Sequence, residues 1–352
     1  MKTKNQKKFL LFIRLYFVVT FIVIIILVDI LLGRTIGAKQ GYEEPVVQEP
    51  ISAWEGIENY SNVYNFPGYG EVHYSTQKYG FRVFGDTNTN KLKILVIGDS
   101  FTGSVEISDG KLYYNYFTKW NPHIELFAYG VSGYGTLQEY MILDRYLDLI
   151  KPDIILWQFC ANDIINNSHT LESASFLHNN HLTRPYYNID KDEIEWLEPN
   201  QNYGVVYNYF QKSFLFKNLK IGELMDAFYE MNSIETRIDK KDPLFVESIN
   251  VTKAIMAKVK QKAKNIPVIA FAVILDDFPV VNEQTFADIT KPQDIYFIYN
   301  IQQGLTDAKE RGLRIDGSDT GGDEHWNETG HYIAGEIIYQ YLLVNDFMQK
   351  QE

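Results

Sequence analysis

Residues 91–104, KLKILVIGDSFTGS, decide the fold. Leu92 and the run 94–97 are apolar, rich in Ile and Val, and short for a helix. They predict a strand buried on both faces, as in a parallel sheet. Gly98 then permits a sharp turn, and Ser100 falls just past the strand's C-terminal end. In open α/β sheets, ligands bind at that edge. A serine there, opening a helix with backbone N–H groups close by, can serve as a nucleophile. The same pattern also fits a helix cap made by Asp99 or Ser100.

Two later stretches repeat the pattern. Residues 124–129 predict a second buried strand, running into GVSGYGT at 130–136. Gly130, Gly133 and Gly135 there can present backbone N–H groups to an anion, or simply make a tight turn. Residues 154–159 predict a third strand, ending in CAND at 160–163. The Asn162 amide can donate to a developing oxyanion, or close an Asx-turn. Three strands ending in polar or glycine loops on one sheet edge say more than any one of them. Between the second and third, Leu137, Tyr140, Leu143, Leu147 and Ile150 recur at helical spacing, which is a packing stripe. Pro152 ends that helix.

Further along, a fourth strand is expected at 267–274, with helices at 111–120, 243–264, 301–311 and 332–344. A loop is expected at 278–292, and a short strand before 301 or at 313–315. The turn GSDTGGDEHWNETGH, 317–331, places Asp323 two residues before His325. In a tight turn that carboxylate can reach the imidazole Nδ1 and leave Nε2 free as a base. A surface or capping histidine is the plainer alternative. His331 lies beyond this Asp-x-His pair, lacks an acidic neighbour, and is expected to contribute little.

Composition narrows the classes. The chain has 352 residues, a formal net charge of −12 and a single cysteine, Cys160. Such acidity argues against non-specific nucleic-acid binding. One cysteine excludes an intramolecular disulfide and a cysteine-based metal cluster. His169, His178 and His181 fall in a stretch without βα rhythm, and their spacing matches neither a helical pair nor a zinc finger, so no metal is expected. The apolar run 9–32 is long enough to span a bilayer, which takes roughly 20 residues. Lys2, Lys4, Lys7 and Lys8 before it predict a cytoplasmic N-terminus. A cleaved signal peptide is the competing reading, though its apolar core is usually shorter, about 7–15 residues.

Taken together, Gly98-Asp99-Ser100, Gly133 in GVSGYG, Asn162 in CAND, and Asp323 with His325 in DEHWN resemble, in order, the four signature blocks of the SGNH hydrolases, the GDSL-type esterase superfamily. The resemblance covers about 90–166 and 245–345. It implies a three-layer α/β/α fold with a flavodoxin-like, mostly parallel sheet. It implies acyl transfer without a cofactor: Ser100 as nucleophile, His325 as base, Asp323 orienting the imidazole. The implied oxyanion hole is the Ser100 N–H, the Gly133 N–H and the Asn162 side chain. Phe101 replaces the leucine usual after the serine. Cys160 stands where the third block has glycine, so the turn holding Asn162 is expected to differ.

The expected organisation is a basic tail and transmembrane anchor at 1–34, a linker and apron at 35–89, and a hydrolase domain at 90–352 with an inserted cap at about 167–245. The expected role is a plasma- or inner-membrane esterase, single-pass, with its catalytic domain outside the cytoplasm. The expected substrate is an O-acyl ester, acetyl above all, of a cell-envelope or extracellular glycan. A glycan O-acyltransferase would use the same residues, and an inactive polysaccharide-binding or assembly domain would keep only the fold. Four Asn-x-Ser/Thr sequons, at Asn59, Asn166, Asn250 and Asn327, include one inside the catalytic turn. A glycan there would obstruct the site, which favours a bacterial exported protein.

Overall fold

The computed structural model describes residues 4–35, 45–175, 177–199, 213, 233–318 and 324–349. The chain divides into two units, one with residues 1–43 and 201–232, the other with 44–200 and 233–352. In the first, helix α1 (Lys4–Thr35) holds the apolar stretch Leu11–Leu31, long and apolar enough to cross a membrane. At 1.5 Å per residue that stretch spans roughly 30 Å, the thickness of a bilayer's hydrocarbon core.

The second unit opens with two hairpins, β1 (Val46–Glu49) with β2 (Ala53–Gly56), and β3 (Ser61–Phe66) with β4 (Gly70–Ser75). The first lies within the stretch expected as linker and apron and forms regular structure. Its sequence lacks period, but its contacts are long-range. Trp54 is buried and donates from Nε1 to the Ser132 carbonyl at 3.0 Å. Arg145 pairs with Glu55 at 2.5 Å and Glu49 at 3.4 Å.

Next come β5 (Val83–Phe84), β6 (Leu92–Gly98), α2 (Ser100–Gly103), α3 (Asn115–Trp120), β7 (Ile124–Gly130), α4 (Thr136–Ile150) and β8 (Ile154–Cys160). The inserted stretch holds α5 (Asp163–Asn166), α6 (His169–Ala174), a hairpin of β9 (Arg184–Asn188) and β10 (Glu193–Leu197), and α7 (Ile234–Arg237). Residues 214–229, within the expected cap, lie outside the described residues. The remainder is α8 (Pro243–Ala263), β11 (Val268–Val273), α9 (Glu283–Thr290), β12 (Tyr296–Phe297), α10 (Ile301–Glu310) and α11 (Glu328–Val344).

Six strands form one sheet in the order β12-β11-β8-β6-β7-β5. All neighbours are parallel except β5 on β7. Counting the parallel strands alone in chain order gives 2-1-3-4-5, the flavodoxin-like arrangement, with its switch point between β6 and β8. Strand side chains alternate between two cores, as a period of two requires. Leu95, Ile97, Ile155 and Trp157 pack with α4, α8 and α9 on one face. Ile94, Val96, Ile154 and Leu156 pack with α3, α10 and α11 on the other. Each such aliphatic side chain contributes about 1.5–3 kcal/mol through burial.

Two elements depart from the sequence reading. The loop expected at 278–292 contains α9, because Asn282 and Thr285 form a reciprocal capping box and Phe286, Ala287 and Ile289 are buried. Helix α11 starts four residues earlier than expected. Asn327 caps it, accepting from the Thr329 and Gly330 N–H groups at 2.9 and 3.1 Å.

Candidate active site

Strands β6, β7 and β8 run side by side and end at the same edge, so the loops carrying Ser100, Gly133 and Asn162 start there together. At the end of β6, the cap and nucleophile readings are divided between two residues. Asp99 is the cap, its Oδ1 accepting the Phe101 N–H at 3.1 Å. Ser100 opens α2 with its side chain turned elsewhere: Oγ lies 2.8 Å from His325 Nε2. These residues are 225 apart in sequence. Phe101 underlies the imidazole, its ring 4.7 Å from that of His325, and packs edge-on against Trp326. The Phe101 ring therefore forms one wall around the His325 imidazole.

The turn after β6 fits only because β7 ends in Gly130. A Cβ there would lie 2.4–2.6 Å from the Gly103 nitrogen, the Asp99 carbonyl and Thr102 Cβ. Gly133 adopts φ +74°, a conformation that favours glycine. Asn162 precedes α5, but its side chain caps nothing. Its Oδ1 is buried without a hydrogen-bond partner among the described residues. Cys160 ends β8 buried in the core, and its N–H donates to Asp163 Oδ2 at 3.1 Å. Burial pushes its thiol well above the ordinary range, so it is inert packing. Asp323 lies outside the described residues.

Several residues that brace this edge carry no sequence signal. Gln158 sits mid-strand in β8, accepting from the Asp99 N–H at 3.1 Å and donating to Asp99 Oδ1 at 2.9 Å. It also accepts from Thr102 Oγ1 at 2.8 Å. Arg82, buried, donates to the Gly103, Ser104 and Ile107 carbonyls and to Asp109. Its guanidinium is thus committed to the backbone of that segment.

Three carboxyls are fully buried behind the Ser100 turn. Desolvation raises Asp99, and raises Glu139 and Asp163 well above the usual range. Repulsion from Asp163 and Asp99 adds to Glu139, and repulsion from Asp99 adds to Asp163. Burial thus favours the neutral form of Glu139 and Asp163.

His331 is fully buried. The Tyr113 N–H donates to its Nδ1 at 3.3 Å, which assigns the proton to Nε2. That N–H faces Ser104 Oγ at 3.1 Å, and Ser104 in turn donates to the Phe101 carbonyl at 2.9 Å. Desolvation first, then His325 and Arg82, pull its pKa down to about 3.

In the inserted stretch, His169 Nε2 contacts the Glu198 carbonyl at 3.0 Å, and His178 stands 3.5 Å from Asp277. Among the described residues, no cluster of His, Cys, Asp or Glu could hold a metal ion.

No protein-family model matches the chain, and no curated protein does. Among solved structures it is similar to a lipolytic protein of the G-D-S-L family from Veillonella parvula DSM 2008, at 12% identity and TM-score 0.38, over 71% of this chain and 98% of that one. It is similar to the lipase/acylhydrolase from Enterococcus faecalis, at 10% identity and TM-score 0.40, over 74% of this chain and 98% of that one. It is also similar to Axe2, an acetylxylan esterase from Geobacillus stearothermophilus, at 12% identity and TM-score 0.38, over 70% of this chain and 92% of that one.

Proposed function

We propose that this protein is a membrane-anchored serine esterase of the SGNH type, acting outside the cytoplasm on O-acyl esters, acetyl above all, of a cell-envelope or extracellular glycan. The observation that carries the reading is the 2.8 Å contact between Ser100 Oγ and His325 Nε2 at the ligand-binding edge of a 2-1-3-4-5 sheet. Nucleophile and base within hydrogen-bond reach are the signature of an activated hydroxyl.

In this mechanism Ser100 Oγ attacks the ester carbonyl carbon as its proton passes to His325 Nε2. The carbonyl oxygen becomes an oxyanion, accepting from the Ser100 N–H, the Gly133 N–H and the Asn162 amide. The tetrahedral intermediate collapses, and the leaving alkoxide takes the proton from His325. Water, activated by the same imidazole, then cleaves the acyl-enzyme. Asp323 holds the imidazole tautomer and offsets the imidazolium charge. Helix α1 anchors the chain, and the four lysines before residue 9 keep its N-terminus inside.

The test is turnover of the full-length protein in detergent on p-nitrophenyl acetate, and acetate release from an O-acetylated polysaccharide. Activity on both is expected, with S100A inactive. No turnover of the activated ester sinks the esterase reading; turnover of that ester alone sinks the glycan. Acyl transfer to an added sugar hydroxyl in preference to water would reassign the protein as an acyltransferase. Protease added to intact spheroplasts should digest the catalytic domain; protection would refute the orientation.

A further inference from the structure

Residues 61–75 lie outside the stretches that carry the family resemblance, yet they reach the base. Hairpin β3–β4 closes through Phe66-Pro67-Gly68-Tyr69, with the Tyr69 N–H donating to the Phe66 carbonyl at 3.2 Å and Gly68 at φ +80°. Proline second and a positive-φ glycine third make a type II turn, a stiff mount for the fourth residue. From it the Tyr69 hydroxyl donates to the His325 main-chain carbonyl at 2.7 Å. The Gly317 N–H reaches the same carbonyl at 3.3 Å. Gly317 also gives the ring its room: a Cβ there would lie 2.5 Å from Tyr69 Cε2, Cζ and the hydroxyl.

The hairpin's other end is tied to the segment that follows the nucleophile. The Asp109 N–H donates to the His73 carbonyl at 2.9 Å, and the His73 N–H to Ser108 Oγ at 3.1 Å. The Ser75 hydroxyl donates to Asp109 Oδ2 at 2.5 Å. Arg82, which holds the Gly103 and Ser104 carbonyls, stacks 4.1 Å over the Tyr74 ring. One hairpin thus spans from the Ser100–Ser104 turn to the backbone of His325.

We propose that Tyr69 is a positioning residue for the base: its hydroxyl, carried on the β3–β4 turn, fixes the main chain of His325 and so the distance from Nε2 to Ser100 Oγ. The proposal rests on the serine-esterase reading. Small misplacements of a reacting group are costly, since an error of about 1 Å can lower a rate about 10²-fold. The Y69F variant removes only the hydroxyl and keeps the ring against Gly317. A partial loss of this positioning should lower kcat roughly 3- to 10-fold, less than a full 1 Å misplacement would. KM on p-nitrophenyl acetate should not change, because the hydroxyl is spent on His325 and not on substrate.

The test uses full-length protein in detergent, with kcat, KM, the rate of covalent labelling of Ser100 by a fluorophosphonate, and urea unfolding of each variant. Y69F should lose kcat and labelling rate by the same factor. G317A, which displaces the ring but keeps the hydroxyl, should reproduce that loss. A Y69F protein that is less stable but keeps wild-type kcat and labelling rate would overturn the proposal, because the hydroxyl would then only hold the fold. If the wild type itself is not labelled at Ser100, with S100A as control, the serine-esterase reading falls first and the proposal with it.

Discussion

Two serine–histidine pairs face each other across the same turn, and they do opposite things. Ser100 and Ser104 stand at the two ends of α2. The loop before α11 brings His325 to the first, and the opening turns of α11 bring His331 to the second. The distances, 2.8 and 3.1 Å, do not separate them. Their surroundings do. Ser100 and His325 are half-buried at the open edge of the sheet, where a substrate can enter. Ser104 and His331 are sealed, each with its remaining bonding capacity already committed to backbone. His331, sealed from solvent and from any substrate, is bound on both nitrogens within the fold, and these contacts hold α11 on the Ser100 turn.

The largest effects should break the comparison on the catalytic side. S100A should lower turnover of an activated ester by on the order of 10⁴–10⁶-fold with its circular dichroism unchanged, and H325A should cost nearly as much. The double variant should be no worse than either single one, because nucleophile and base act as a unit. Additive losses would mean the two residues work separately. On the other side, H331A should leave kcat per folded molecule near wild type but remove about 3–5 kcal/mol of stability, from a cavity and two abandoned polar partners. Urea unfolding reads this directly.

The pair should also diverge with pH. His331 has a folded pKa of about 3, against roughly 6.5 when unfolded. Between those values the unfolded chain binds a proton that the folded one refuses. Its stabilisation is complete above about pH 6.5 and falls by about 1.4 kcal/mol per unit as pH drops towards 3. The buried carboxyls push the other way, because their raised values favour the fold at low pH. The comparison to measure is therefore wild type against H331Q. The wild-type advantage should shrink steadily from pH 7 to pH 4. An advantage that stays constant over that range would mean His331 titrates normally in the fold.

The sheet was legible because its parallel strands carry contiguous runs of Ile, Leu, Val and aromatic residues, such as 94–97, that no amphipathic surface element would show. Ser100 and His325 were legible because their chemistry sits at strand and helix ends. What escaped depends on partners far away in sequence. Residues 46–56 become a hairpin through Trp54 on Ser132 and Arg145 on two glutamates. Tyr69 meets His325 across 256 residues. His331 has no acidic neighbour along the chain, and its partners are a serine 227 residues away and the Tyr113 backbone. Local spacing reveals a residue's chemistry but not its burial, and burial is what divides these two histidines.

The smallest effect isolates the sealed pair. Ser104 has φ +32°, a left-handed conformation at the end of α2. Alanine at this position keeps the same Cβ in the same backbone, so strain does not change. S104A therefore removes only the hydroxyl, leaving the His331 Nε2–H without an acceptor and the Phe101 carbonyl without that donor. An unsatisfied buried donor costs about 1–3 kcal/mol. Stability should fall by that amount, less than in H331A, while turnover stays within about twofold because no reacting group has moved. The double variant S104A/H331A should cost little more than H331A alone, since neighbours sharing one hydrogen bond are not additive. If S104A instead lowers turnover as S100A does, with its fold intact, the sealed pair takes part in the chemistry and the division between the two histidines is wrong.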